Sequence, residues 1–104
     1  MNVKERKLKF DGKEMTFQSF FDNMTSAALS EVFSCVKSLT QKGRVERWVW
    51  ATKAYYGLER DFQGNRKKMS YTEIAKGLGV SPQRIAVIVN HCLDQIEEKF
   101  SSGE

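Results

Sequence analysis

The sequence predicts an all-α domain, a helix-turn-helix unit of three to five helices, with a short N-terminal β-hairpin or a frayed basic tail ahead of it. Three observations carry this expectation. Apolar residues recur at helical spacing from residue 17 to residue 100. Residues that start and stop helices punctuate that pattern at helix-length intervals. The chain has 104 residues, 40% hydrophobic and 12% aromatic, enough for one modest core.

Asp11-Gly12 is the preferred two-residue turn of a hairpin over residues 6 to 17. That turn sets Phe10 opposite Lys13, Leu8 opposite Met15 and Arg6 opposite Phe17. Leu8, Phe10, Met15 and Phe17 then share one face, and Lys9 and Glu14 lie on the other. Two strands alone are marginal, so a hairpin here must lean on the helices. Thr16 is placed to cap a helix carrying Phe17, Phe20, Phe21 and Met24. Thr25 or Ser26 can cap the next, with Ala28, Leu29, Val32, Phe33, Val36 and Leu39 on its buried stripe. The spacing hardly breaks between the two, so one continuous helix fits equally well. Gln41, Lys42 and Gly43 end this stretch. A further helix covers residues 44 to 56 and closes at Gly57. Residues 58 to 68 form a polar loop with Gly64-Asn65 as its turn.

The stretch from residue 69 to 89 is the most informative. Ser70 is a good N-cap, and Glu73 occupies the capping-box position three residues on. Ile74, Ala75 and Leu78 make one apolar stripe. Gly79 follows where a left-handed residue commonly stops a helix. Ser81 caps a second helix, and Pro82 takes its first position, where a missing N–H costs nothing. This last helix runs to about residue 100. The expected organisation is an N-terminal extension over 1–24, a helical domain over 25–100 with the helix-turn-helix at 70–97, and a frayed tail at 101–104.

These residues resemble the C-terminal module of bacterial sigma factors, the helix-turn-helix part that reads the minus-35 promoter element. The matched residues are Tyr56-Gly57-Leu58, Ser70, Glu73-Ile74-Ala75-Lys76, Leu78-Gly79-Val80-Ser81, Arg84-Ile85, Ile88 and Leu93. The resemblance covers roughly residues 44 to 97. It implies contact with promoter DNA through the last helix and with a mobile flap of RNA polymerase through the first helices of the module. The chain also departs from the family pattern. The recognition helix opens with Pro82, Gln83, Arg84, Ala86 and Val87, of which Gln83 and Arg84 alone keep hydrogen-bonding side chains. A Gln can pair with adenine and an Arg with guanine. Direct base readout is therefore expected to be weaker or narrower than in an ordinary sigma factor.

Charge agrees with a nucleic-acid partner without requiring one. The formal net charge is +4. Lys4, Arg6, Lys7 and Lys9 crowd the start. Lys42, Arg44, Arg47 and Lys53 follow, and Arg66-Lys67-Lys68 immediately precede the motif, while Asp94, Glu97 and Glu98 make the far end acidic. The candidate DNA contacts are Ser81, Gln83, Arg84, Arg66, Lys67 and Lys68; solvated charge is the alternative for the basic cluster. The candidate partner contacts are Trp50, Arg47 and Val87. Trp48 and Trp50 cannot share a helix face, so Trp48 is expected inward, and Trp50 is either a partner-facing anchor or a large core residue with one wet edge. Ile85, Ile88, Val89 and Cys92 make a core stripe that Val87 falls off. Either the N-terminal segment covers Val87 or a partner protein does, and coverage within the chain is the expectation.

No enzyme is expected. No nucleophile with a base, phosphate-binding glycine loop or carboxylate pair is visible. His91 is the single histidine, and neither Cys35 nor Cys92 stands at a metal-ligand spacing from it. No cofactor is therefore implied. Two free thiols, with no signal peptide or membrane span visible, suit a reducing cytoplasm. The expectation is a small sigma-like transcription factor or regulator, bacterial or phage-encoded, that engages RNA polymerase and promoter double-stranded DNA. With no segment resembling the promoter-melting part of a sigma factor, it would not open a promoter alone. The alternative is a degenerate helix-turn-helix that docks on RNA polymerase, on a sigma or other transcription protein, or on a second copy of itself as a homodimer. An ordinary repressor, dimeric on a palindromic site, is a third expectation.

Overall fold

Asp11 and Gly12 both take positive φ, 53° and 77°, the conformation a two-residue hairpin turn demands. The chain thereby reverses between β1 (Lys7–Phe10) and β2 (Lys13–Thr16), with Phe10 opposite Lys13 and Leu8 opposite Met15. The N-terminal segment is thus a hairpin rather than a frayed tail. Thr16 ends β2, because its hydroxyl turns to accept the Ser19 N–H at 3.1 Å and caps α1 (Phe17–Asp22). Phe17 therefore opens a helix instead of extending the hairpin face, yet its ring is still fully buried. Thr25 caps α2 (Ser26–Phe33) in the same way, through the Ala28 N–H. That second cap decides between two helices and one: the chain breaks at Asn23 and restarts at Ser26.

The computed structural model describes residues 6–36, 45–59 and 67–100. The expected helix end at Gln41 to Gly43, Leu39, the cations Lys4, Lys42, Arg44 and Arg66, the Gly64-Asn65 turn and the 101–104 tail lie outside them. The remaining elements are α3 (Val45–Tyr55), α4 (Tyr71–Leu78) and α5 (Pro82–Phe100).

Helices α3 and α4 both pack on α5. One continuous core holds Leu8 from the hairpin, Phe17, Phe20 and Phe21 from α1, Trp48 from α3, Ile74 from α4 and Ile85, Leu93 and Ile96 from α5. The segment before residue 25 therefore shares the core of the rest. Phe21 is central to this junction, with ring centroids 5.3 Å from Phe33 and 5.1 Å from Tyr56. Phe10 stays at the rim, edge-on to Phe20 at 5.0 Å. Among the described residues, no helix is long and apolar enough to cross a membrane.

Both cysteines are free thiols. Cys92 is buried, and its Sγ donates to the Trp48 carbonyl, which also accepts from the Thr52 hydroxyl. Burial pushes the Cys92 thiol up to about 11 from an ordinary 9.0, against the opposing bond from Thr52. A proton held more tightly in the folded state makes the folded state lose ground once the unfolded thiol ionises. This contribution to stability is fully present below pH 9.0 and is lost as pH rises through about 11. Native protein at neutral pH should accordingly leave Cys92 unlabelled by a thiol reagent that reacts with it in urea. A Cys92→Ala variant should show a shallower alkaline fall in urea midpoint.

Candidate nucleic-acid interface

The α4–turn–α5 segment is built by local rules that the sequence states openly. The Ser70 hydroxyl accepts the Glu73 N–H at 3.2 Å, and the Glu73 carboxylate accepts the Ser70 N–H at 3.3 Å, a complete capping box. Gly79 ends α4 with φ of 70°, a left-handed conformation in which glycine carries no Cβ penalty. The Val80 N–H then reaches back to the Ala75 carbonyl at 3.1 Å. Two residues later the Ser81 hydroxyl accepts the Arg84 N–H at 3.2 Å, and α5 begins at Pro82. Ser81 is exposed and spends its side chain on this cap.

The first turns of α5 divide sharply between core and solvent. Ile85, Ile88, Val89 and Cys92 are buried, as their stripe requires. Gln83 and Arg84 are exposed. Val87 is 49% exposed, so the expectation that the hairpin or the first helices cover it is corrected. The hairpin lands farther along α5. Arg6 Nη1 donates to the Asn90 carbonyl and Oδ1, and Nη2 bonds Asp94 and Glu97, leaving the Val87 turn open. A shallow open groove of about 400 Å³ runs along this face between Ala86, Val87, Asn90, His91 and Asp94.

Arg84 is not free in the way its exposure suggests. Its guanidinium lies 5.6 Å from the centroid of the Trp48 ring, and the same ring meets His91 edge-on at 5.2 Å. A cation over an aromatic face at an exposed site is worth about 0.5–1 kcal/mol. Arg84 must give up that contact to reach a base or a phosphate.

The basic approach to α4 is anchored from below. Gly57 adopts φ of 73° after α3, and a Cβ there would stand 3.1 Å from the Lys68 side chain. The Met69 N–H donates to the Ala54 carbonyl at 3.1 Å, and the Met69 side chain is buried. Lys67 and Lys68 are thereby fixed as exposed residues next to the capped N-terminus of α4. Arg66 lies outside the described residues. Lys76, exposed in the last turn of α4, adds a cation beyond the expected DNA contacts. Among the described residues, ion pairs engage Arg6 and Lys7, and none engages Lys67, Lys68, Lys76 or Arg84.

The acidic end of α5 is also modified by the fold. Burial disfavours the charge on Arg6, and its bonds to Asp94 and Glu97 outweigh that, so its pKa stands above the ordinary arginine value. The bridge offsets negative charge that would otherwise flank the open groove.

Of the expected partner contacts, Arg47 and Trp50 fall on α3 and Val87 on α5. Trp48 is buried, Arg47 is exposed, and Trp50 is half-buried against the core. Of the two expectations for Trp50, its half-burial beside the core residue Ala54 agrees with a large core residue rather than a fully presented anchor. A tyrosine cluster joins α3 to α4, with Tyr55 and Tyr71 stacked at 4.7 Å. Burial, reinforced by the neighbouring phenols, pushes Tyr56 and Tyr71 strongly upward. Among the described residues, no group of three His, Cys, Asp or Glu side chains gathers to hold a metal ion. Comparison with protein families, with curated proteins and with solved structures finds no match for this chain.

Proposed function

We propose that this protein is a small sigma-like transcription factor or regulator whose α4–α5 unit is a helix-turn-helix that contacts double-stranded promoter DNA. The observation that carries the reading is the capped α4–turn–α5 segment, whose second helix presents Gln83, Arg84 and Val87 outward. A helix whose N-terminal half leaves one face exposed can enter the major groove. Lys67, Lys68 and Lys76, none ion-paired among the described residues, supply charge for phosphate. RNA polymerase is the second proposed partner, on the strength of the sigma-like residues, with Arg47 and the half-buried Trp50 as its contacts. The cytoplasm is the proposed compartment.

A second reading has one observation in its favour. Val87 is a large apolar side chain left open in the middle of the presented face. A helix-turn-helix scaffold that docks on protein, or on a second copy of itself, would use such a residue.

Fluorescence anisotropy with a mixed-sequence duplex, titrated from low to physiological salt, separates the two readings. Contact by Lys67, Lys68, Lys76 and Arg84 predicts a log–log salt slope of about −3 to −4, at roughly −0.9 per phosphate contact. The Lys67→Ala/Lys68→Ala double variant should flatten that slope by about 2. No duplex binding even at low salt would overturn the DNA reading and leave the protein-docking one.

A further inference from the structure

The presented face of α5 carries side chains suited to one kind of base pair. We propose that Gln83 and Val87 read A·T base pairs two steps apart in the major groove, Gln83 by hydrogen bonds to adenine and Val87 by packing on a thymine methyl. This rests on the DNA-contact reading above and goes beyond it by naming the bases.

Gln83 is exposed and its amide forms no hydrogen bond among the described residues, so donor and acceptor are both available. A Gln amide matches the N6 donor and N7 acceptor of adenine. Val87 stands one helical turn further along, 49% exposed. In the major groove, thymine alone offers a methyl group to an apolar side chain. Four residues of α-helix advance by about 6 Å, close to two base-pair steps of about 3.4 Å.

The other polar side chains of this face are already committed. Asn90 has the right chemistry for adenine, but its Nδ2 donates to the Ala86 carbonyl at 3.0 Å and its Oδ1 accepts from Arg6 at 3.1 Å. Arg84, the residue that would read guanine, rests on the Trp48 ring. The face therefore offers a free adenine reader and an exposed thymine reader, while its guanine reader must first leave the Trp48 ring.

The test compares short duplexes of equal length by anisotropy at low salt: A·T-only, G·C-only, and A·T with uracil in place of thymine. Uracil removes the methyl and leaves base pairing unchanged. The expected result is a preference for A·T over G·C of about tenfold or more. Replacing thymine by uracil should weaken binding about fourfold, the worth of one buried methyl group. Val87→Ala should erase the thymine–uracil difference; Val87 is exposed, and an unaltered circular dichroism melt certifies the fold. Gln83→Ala should reduce what remains of the A·T preference. Equal binding to all three duplexes overturns the base assignment while the DNA-contact reading stands. Binding to none of them overturns both. In that case a concentration-dependent size shift on gel filtration, abolished by Val87→Lys, would assign the face to a second copy.

Discussion

Replacing Phe21 by alanine should lower the stability of the folded protein by about 3–5 kcal/mol, the usual range for emptying a buried phenylalanine site. The ring is fully buried and meets four others: Phe17 at 6.0 Å, Phe20 at 5.6 Å, Phe33 at 5.3 Å and Tyr56 at 5.1 Å. Those partners come from α1, α2 and the residue following α3, so the ring joins the N-terminal helices to the rest. Aromatic rings cannot collapse easily into the vacated space, which places the expected loss well above that of a Leu→Val change. A small domain is commonly stable by about 5–15 kcal/mol in total, so the variant should sit near its unfolding threshold at room temperature. Urea unfolding followed by circular dichroism measures this directly. Phe21→Leu should recover part of the loss. A loss below about 1 kcal/mol for Phe21→Ala would mean that the N-terminal helices do not depend on this junction.

Arg6→Ala should remove about 1–3 kcal/mol, a large effect for a charged residue in the strand-leading position of a hairpin. The side chain is only 14% exposed, lies 5.7 Å from the Phe17 ring centroid, and bonds Asn90, Asp94 and Glu97 at once. Its loss leaves Asp94 and Glu97, three positions apart on one helix, as unscreened like charges. Both carboxylates are substantially exposed and regain water, which keeps the effect below that of breaking a fully buried pair. Arg6→Lys should restore only part of the stability, because an ammonium cannot serve three acceptors in the fork geometry of a guanidinium. A double-mutant cycle with Glu97→Gln, read by urea midpoint at low and high salt, isolates the ionic share. Additivity of the two substitutions would assign the effect to Arg6 packing on Phe17 instead.

The contrast between these two residues tracks what can be read from a sequence. Phe21 belongs to an apolar stripe, and its burial follows from helical spacing. Nothing near Arg6 in the chain points to its role. Its acceptors stand 84 to 91 positions away.

The sequence by itself determined the punctuation of the fold. The Asp11-Gly12 reversal, the caps at Thr16, Thr25, Ser70 and Ser81, the capping box of Glu73 and the left-handed Gly79 all depend on hydrogen bonds or steric freedom within a few residues. Those forces act on the local chain whatever it later packs against, so residue type and spacing reveal them. The choice between one N-terminal helix and two was itself settled by such a local bond, from the Ala28 N–H to Thr25. Tertiary structure alone decided the surface of the candidate site. It placed Arg84 on Trp48, occupied Asn90 with Arg6, half-buried Trp50, tied Met69 to Ala54 and left Val87 open. Exposure and partnership at these positions depend on where the hairpin and α3 come to rest on α5. Docking of that kind sums many weak long-range contacts, and no short window of sequence contains both sides of it.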